Sequence, residues 1–169
     1  WKGAAWYQKE LHIPEHWSGK HVALFLERTK DTYVWFDEIY CGYENTLSAP
    51  QVFDLSEAIK PGKHRITILV DNAKLPPVGP SHAVDERTQT NWNGVFGRLE
   101  LRATDPVWID DLQVHPAYAA RMLEDESEEE KHLVRVVARI GNATRRRAEA
   151  GITVRMDVVG RENAVSIRA

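Results

Sequence analysis

The chain has 169 residues, of which 43% are hydrophobic and 28% are charged, the balance of a globular protein rather than a disordered or fibrous one. The formal net charge of −3 gives no broad positive field, so neither nucleic acid nor a membrane is expected as a partner. Cys41 is the single cysteine, which excludes an internal disulfide bond.

Short segments with period-two alternation follow one another over the first hundred residues, as expected for half-buried β-strands. Turn-forming prolines and glycines separate them. The residues that mark the strands in chain order are Tyr7, Lys9, Leu11 and Ile13; Val22, Leu24 and Leu26; Tyr33 to Phe36; Ile66, Ile68 and Val70; and Val95, Leu99 and Leu101. One helical turn is predicted at 56–60, capped by Ser56 and ended by Pro61. The pattern predicts an all-β sandwich.

A second unit is predicted after Thr104-Asp105-Pro106, where a new alternating segment starts at Val107. Further strand candidates follow an acidic stretch, at 133–140 and 152–158. We therefore expect one domain at residues 1–104 and another at 105–169. An immunoglobulin-like sandwich needs about 7 strands in about 100 residues, so the second domain is predicted to be truncated.

The chain also has the features of a fragment. No apolar run approaches the ~20 residues that span a bilayer, and the sequence begins at Trp1 without an initiator methionine. We expect a longer protein whose upstream part, including any export signal, is absent from this sequence.

The stretch from His82 to Gly94 has neither helical nor strand periodicity. It carries imidazole, carboxylate, hydroxyl and amide groups around one indole, that of Trp92. Loops on a rigid β scaffold often hold binding groups, and this mixture suits a ligand rich in hydroxyls. A sugar fits better than a phosphate or a metal ion. The alternative for Trp92 is that its indole closes the end of the sandwich.

Other candidate sites are weaker. His12 and His16 are four residues apart, but Pro14 between them argues against the helix that would bring them together on a metal. No glycine-rich phosphate loop or nucleophile elbow is present, so no metal or cofactor is predicted. Trp6 and Trp35 lie inside alternating strands and are expected in the core or on a sheet face.

Several segments resemble, in order and spacing, the N-terminal sugar-binding domain of glycoside hydrolase family 2, the group of β-galactosidases, β-mannosidases and β-glucuronidases. They are Ala5 to Pro14, Trp17 to Lys20, Thr32 to Asp37, Gly42-Tyr43, Phe53 to Leu55, Pro61 to His64, Val70 to Asn72 and Thr88 to Leu101. The similarity covers about residues 4 to 103. Residues 105–169, including Trp108 to Val114, are similar to the start of the immunoglobulin-like domain that follows in that family.

This resemblance implies a jelly-roll, galactose-binding-like β-sandwich followed by a partial immunoglobulin-like β-sandwich. The family carries its two catalytic carboxylates on a barrel further along the chain, so no catalytic residue is expected here. In particular, Asp85 and Glu86 are not assigned to catalysis.

The first domain of the family lends loops to the rim of the barrel's sugar pocket. By position, Asn91 matches a polar residue before the family's glycine, while Thr88 stands where some members have an aspartate. Glu44 and Asn45 occupy a second rim loop. The residues expected to contact sugar are Asn91, Trp92, Glu44, Asn45, Asp85 and His82. The family's asparagine-glycine hairpin turn is here Asp37-Glu38, which predicts a longer or differently shaped turn.

The sequence therefore predicts a non-catalytic N-terminal fragment of a retaining exo-β-glycosidase, β-galactosidase-like, with a terminal β-linked sugar and the downstream barrel as partners. By resemblance the parent enzyme is expected in the bacterial periplasm or outside the cell. The alternatives are an autonomous carbohydrate-binding module and a purely structural sandwich.

Overall fold

A computed structural model of the chain describes residues 2–74, 94–119, 131–156 and 165–168. Within these ranges all regular structure is β-strand apart from a 3₁₀ turn at Glu15–Trp17, which confirms the predicted all-β class. The chain forms two compact units, Trp1–Trp108 and Ile109–Ala169. The strands that begin in the first unit are β1 (Ala4–Ile13), β2 (His21–Arg28), β3 (Asp31–Phe36), β4 (Ile39–Glu44), β5 (Gln51–Asp54), β6 (Gly62–Asp71), β7 (Phe96–Thr104) and β8 (Val107–Ala119).

The first unit is a sandwich of two antiparallel sheets. One sheet has the strand order β1-β6-β3-β4 and the other has the order β5-β2-β7. Side chains from both sheets form one hydrophobic core cluster, whose buried members are Ile13, Leu24, Leu26, Val34, Phe36, Phe53, Leu55, Ile66, Ile68 and Val70. The alternating hydrophobic residues that the sequence predicted for β2 and β6 are therefore the ones that face the core.

One sequence-based expectation about β7 holds and another, about the turn after β5, needs correction. Leu99 pairs with Leu26 and Leu101 pairs with Leu24, so both leucines lie on the core side of β7, although Leu99 is 50% exposed. Ser56 does not cap the turn after β5, because its hydroxyl accepts a hydrogen bond from the backbone N–H of Val22. The carboxylate of Asp54 accepts the N–H of Ser56 instead.

The connection between β3 and β4 is a tight two-residue turn. The sequence predicted a longer or a differently shaped turn, and the longer form is wrong. Phe36 pairs with Ile39, so two residues make the turn, and Asp37 has a positive φ of 52°. Its carboxylate accepts hydrogen bonds from the backbone N–H of Arg65 and from Nδ1 of His64, both at 2.7 Å. These bonds offset the roughly 1 kcal/mol that a left-handed conformation costs a residue other than glycine. The sequence could not show them, because both partners lie on β6.

In the second unit, β8 pairs with β9 (Lys131–Asn142), and β10 (Thr153–Met156) pairs antiparallel with β11 (Val165–Arg168). Arg139 on β9 donates to the Asp110 carboxylate on β8 at 2.7 Å. The domain bounds predicted from the sequence, and the sugar-binding and immunoglobulin-like assignments, stay predictions.

Candidate functional site

The residues predicted to contact sugar fall into two groups. His82, Asp85, Asn91 and Trp92 lie outside the described residues, as does Thr88. Glu44 and Asn45 are described, and so are the segments that precede and follow residues 75–93. The structure therefore locates the ends of the predicted binding loop and its second rim segment.

These pieces lie at the same end of the first sandwich. The Cα partner of Asp71, which ends β6, is Asp31 at the start of β3, and the partner of Phe96, which begins β7, is Arg28 at the end of β2. Thr32 pairs with Glu44 at the end of β4. Strand register thus brings the Glu44-Asn45 segment to the end at which residues 75–93 leave and re-enter the sandwich. We call this the loop end.

A cluster of polar side chains is buried at the loop end. Its members are each no more than 3% exposed, and they are Thr29, Lys30, Asp31, Thr32, Gln51 and Asn72. Burial lowers the pKa of the Lys30 ammonium, since desolvation disfavours its charged form. Sequence patterns did not reveal this cluster, because long polar side chains such as Lys30 and Gln51 are ordinarily expected on the surface.

Gln51 joins two loops of this cluster. Its Nε2 donates to the carbonyl of Lys30 at 2.9 Å and to the carbonyl of Thr46 at 3.1 Å. Its buried Oε1 has no hydrogen-bond partner among the described residues. Gln51 therefore fixes these two backbone segments relative to each other.

Asp31 combines burial with incomplete hydrogen bonding. The Tyr43 hydroxyl donates to its Oδ2 at 3.2 Å, while Oδ1 is buried without a partner in the part of the chain that the structure describes. Burial raises the pKa of this carboxyl, and the Tyr43 hydrogen bond opposes that rise. The Asn45 side chain lies close enough to the Tyr43 hydroxyl to oppose the rise that burial causes in the pKa of that phenol.

Asp31 and Asp71 are directly paired across β3 and β6, a carboxylate pair that superficially suits glycoside hydrolysis. Asp31 is only 3% exposed, however, and the Asp71 carboxylate accepts the backbone N–H of Ala73 at 2.9 Å. A substrate has no access to Asp31. We therefore interpret the pair as structural.

The segments beside residues 75–93 are fixed by specific contacts. Lys74 donates from Nζ to the Tyr33 hydroxyl at 2.8 Å, and Asn72 accepts the N–H of Gly3 at 2.8 Å. Gly94 has a φ of +74°, and a Cβ there would collide with the Tyr7 hydroxyl. These contacts hold Asn72, Lys74 and Gly94, which flank residues 75–93 in the sequence, against the four-stranded sheet.

The opposite end of the sandwich carries the β3–β4 turn, and we call it the turn end. A cleft of about 570 Å³ opens there, lined by Glu10, Leu11, His12, Asp37, Glu38, Lys63, His64 and Arg65. Hydrogen bonds from His64 and from the Arg65 N–H lower the pKa of Asp37. The buried Nε2 of His64 has no hydrogen-bond partner among the described residues. The sequence does not reveal this cleft, although the acidic residues Asp37 and Glu38 of the hairpin turn line it.

Among the described residues, no group of three or more His, Cys, Asp or Glu side chains is arranged to hold a metal ion. The described part of the chain also contains no helix long and apolar enough to cross a bilayer.

No protein-family model matches the chain. Among solved structures, it is similar to a Ruminococcus gnavus β-glucuronidase, with a TM-score of 0.70 and 17% identity over 100% of this chain and 28% of that one. It is also similar to Bacteroides uniformis β-glucuronidase 2 covalently bound to cyclophellitol-6-carboxylate aziridine. There the TM-score is 0.70 at 15% identity, over 100% of this chain and 20% of that one.

A glycosyl hydrolase family 2 member from Bacteroides cellulosilyticus matches with a TM-score of 0.65 and 16% identity, over 91% of this chain and 18% of that one. The chain thus spans less than a third of the length of these proteins. At such identities the shared property is the fold. The resemblance seen in the sequence to glycoside hydrolase family 2 is confirmed at that level.

Proposed function

We propose that this chain is the N-terminal, non-catalytic part of a retaining exo-β-glycosidase of glycoside hydrolase family 2, whose loop end forms part of the rim of the sugar pocket. The observation that carries the proposal is the fold match to a β-glucuronidase over 100% of this chain but only 28% of the longer protein. A match of that kind is expected for an accessory segment of a larger enzyme.

The geometry of the loop end supports this role. The exposed Glu44 carboxylate, the half-buried Asn45 amide and the Tyr43 hydroxyl at this end are suited to the hydroxyl groups of a sugar. Glu44 and Asn45 lie where β4 ends, at the same end of the sandwich as Asp71 and Phe96, the strand ends nearest to residues 75–93 in the sequence. The other four predicted contacts, Asn91, Trp92, Asp85 and His82, belong to that sequence segment. These six residues are proposed to shape the rim and select the sugar, while catalysis belongs to the barrel.

The retaining mechanism supplies a chemical test. A retaining enzyme has two carboxyl groups about 5 Å apart, one of which attacks the anomeric carbon and forms a covalent intermediate. Bacteroides uniformis β-glucuronidase 2 has been observed covalently bound to a cyclophellitol aziridine, and a reagent of this kind reports a nucleophile. We expect a cyclophellitol aziridine to label the complete parent protein but not the purified 169-residue chain, because the nucleophile is proposed to lie beyond it.

The identity of the sugar is proposed separately. The resemblance favours a β-galactosidase-like enzyme, whereas several of the similar structures are β-glucuronidases. Assaying the complete protein with 4-nitrophenyl β-galactoside, β-glucuronide and β-mannoside distinguishes these substrates by their kcat/KM values.

The proposal also has outcomes that overturn it. Turnover of any of these aryl glycosides by the purified chain would contradict the non-catalytic assignment. A parent reading frame without about 300 residues of alternating strands and helices would contradict the barrel. In that case an autonomous carbohydrate-binding module becomes the better explanation. We further propose an immunoglobulin-like second domain and an exported parent enzyme, both of which rest on the resemblance.

A further inference from the structure

The outer face of the four-stranded sheet carries five neighbouring aromatic side chains. They are Trp6 on β1, Tyr33 and Trp35 on β3, and Tyr40 and Tyr43 on β4, and we call them the aromatic platform. The ring centroids of Trp6 and Trp35 are 5.5 Å apart, those of Trp35 and Tyr40 5.6 Å, and those of Tyr33 and Tyr43 4.7 Å. Tyr33 and Trp35 complete the connection at 6.3 Å. The rings therefore form one continuous surface across the sheet.

A bulge in β4 creates this surface. Tyr40 and Tyr43 are three residues apart, so a regular strand would place them on opposite faces. The register shifts between Val34 and Trp35, so that Tyr43 pairs with Tyr33 while Tyr40 pairs with Trp35. Gly42, with a φ of 138°, adopts the backbone conformation that this shift requires. Both tyrosines consequently lie on the platform side.

The aromatic platform is open to solvent. Trp6 is 63% exposed, Tyr40 is 54% exposed and Tyr43 is 40% exposed, while Tyr33 and Trp35 are half-buried. The outer face of the other sheet is different, because Phe25 on β2 is buried beneath two guanidinium groups. Those of Arg102 and Arg98 lie 3.4 Å and 5.1 Å from its ring centroid. An exposed group of five rings is a feature of interaction surfaces.

The size of the platform argues against a second protein chain. If a fully exposed aromatic side chain offers at most about 250 Å², the exposed fractions of the five rings together provide less than about 600 Å². A standard protein interface buries about 800 Å² on each partner. A smaller ligand fits the available area better.

The polar groups among the rings are neutral. Gln8 and Thr67 lie in the same cross-strand row as Trp35 and Tyr40, and Gln8 Nε2 donates to the Thr67 hydroxyl at 3.1 Å. The charged groups lie at the two ends of the platform. Lys74 lies over the Tyr33 ring, 4.9 Å from its centroid, and donates to its hydroxyl at one end, while Arg65 lies beside Glu10 at the other. Flat apolar rings with an amide, hydroxyls and no central charge suit a neutral pyranose chain, whose C–H surfaces stack while its hydroxyls hydrogen-bond.

We propose that the aromatic platform is a second carbohydrate-binding surface, separate from the pocket rim, which holds a neutral β-linked oligosaccharide. The site goes beyond the proposed function, since it uses neither residues 75–93 nor a barrel. It would keep a polymeric glycan close to the protein, while the rim would select its terminal sugar.

The test is a titration of the purified chain with neutral β-1,4-linked hexasaccharides of glucose, galactose and mannose, followed by calorimetry and tryptophan fluorescence. We expect saturation at millimolar or lower concentration by at least one of them. A β-1,4-linked hexaglucuronate, which has the same linkage as the glucose hexasaccharide, should bind at least about tenfold more weakly, because the platform provides no central cation. Equal or tighter binding of this hexaglucuronate would contradict the neutral ligand.

Substitutions locate the binding surface. Trp6→Ala and Tyr40→Ala are expected to weaken binding by about tenfold or more, the size of effect found at interaction hot spots. The matched control is Phe96→Ala, which removes a 61% exposed ring from β7 in the other sheet and should leave binding unchanged. Unchanged circular dichroism excludes unfolding as the cause.

Three results would overturn the inference. The first is no binding of any neutral hexasaccharide, and the second is equal loss with Phe96→Ala. The third is concentration-dependent dimerisation in sedimentation velocity that Trp6→Ala abolishes, because it would assign the platform to a second copy of the chain. None of these would affect the proposed function, which is tested on the complete protein.

Discussion

Asp31 and Asp37 lie at the two ends of the same strand region and have opposite relations to their surroundings. Asp31, at the loop end, is buried with one oxygen lacking a partner among the described residues, and burial raises its pKa. Asp37, at the turn end, accepts two hydrogen bonds of 2.7 Å, from His64 and Arg65, which lower its pKa. The Asp31 carboxylate therefore has one oxygen without a hydrogen bond among the described residues, whereas both oxygens of the Asp37 carboxylate accept hydrogen bonds that hold the turn.

This difference separates a carboxylate whose hydrogen bonds the turn accounts for from a buried carboxylate whose hydrogen bonding is incomplete. At the turn end, the bonds to Asp37 explain why a two-residue turn forms without glycine. At the loop end, the open acceptors of Asp31 and Gln51 are not explained by the described fold. Buried polar groups of this kind are expected where a further segment or an ordered water completes the hydrogen bonding.

Asp37→Ala is expected to have the largest effect, a loss of about 2–3 kcal/mol in unfolding free energy. The change removes two hydrogen bonds of about 1 kcal/mol each and places alanine at a positive φ. Chemical denaturation measures the loss. Asp37→Asn is the control, since it tolerates the backbone conformation and should lose less. A loss below about 0.5 kcal/mol for Asp37→Ala would contradict the role given to the turn.

Gly94→Ala is expected to destabilise the loop end by about 2 kcal/mol. Positive φ contributes about half of that, and the contact with the Tyr7 hydroxyl contributes the rest. Adding Tyr7→Phe removes the hydroxyl and should restore about 1 kcal/mol in a double-mutant cycle. Strict additivity of the two changes would show that the hydroxyl does not restrict residue 94.

Gln51→Leu is expected to cost about 1–2 kcal/mol, because the carbonyls of Lys30 and Thr46 both lose their side-chain donor. Thermal unfolding monitored by circular dichroism measures this change. Val52→Leu, at a 53% exposed neighbouring position on β5, is the matched control and should be nearly neutral. Equal melting temperatures for both variants would contradict the linking role of Gln51.

Asp31→Asn is expected to produce the smallest change in the free energy of unfolding, and it should stabilise the protein rather than destabilise it. Because burial raises the folded-state pKa of Asp31, its ionised form destabilises the fold, and this cost appears as pH rises above about 4, through the folded pKa. The variant should therefore be more stable than the parent at pH 7 and equal to it below about pH 4. Lys74, Asp71 and Tyr43 also face this carboxyl and modulate the shift.

For Asp37 the sign is reversed. Its lowered pKa contributes stability that is present above about pH 4 and lost as pH falls through the folded pKa. Asp37→Asn should thus flatten the acid side of the stability profile. Denaturation midpoints between pH 2 and 8 for both asparagine variants test the two signs together. The same direction of change in both would contradict the comparison.

The sequence predicted the parts of the fold that follow from regular alternation. Val22, Leu24 and Leu26 on β2, and Ile66, Ile68 and Val70 on β6, were assigned to strands correctly because one face of each must be buried. The order of the family segments also predicted the sandwich. Trp6 and Trp35 were expected in the core or on a sheet face, and the structure places them on the outer face.

Features that depend on distant partners were not predictable. The tight turn at Asp37 requires groups on β6, and the burial of Lys30 and Gln51 arises only when several loops meet. The bulge that brings Tyr40 and Tyr43 to one face breaks the period from which faces are inferred. For the candidate site, the sequence predicted Glu44 and Asn45 as sugar contacts. Strand register places Glu44 at the loop end, and the contact of both residues with sugar stays a prediction.

The most direct test of the loop end as a sugar rim is the kinetics of the complete parent protein carrying Asn91→Ala or Asn45→Ala, with Glu38→Ala at the turn end as control. If the parent is the proposed glycosidase, both asparagine variants should raise KM for the preferred aryl β-glycoside about three- to tenfold, with the covalent aziridine still labelling the protein. Glu38→Ala should leave KM unchanged. Asparagine variants whose KM matches that of Glu38→Ala would contradict the assignment of the loop end to the sugar site.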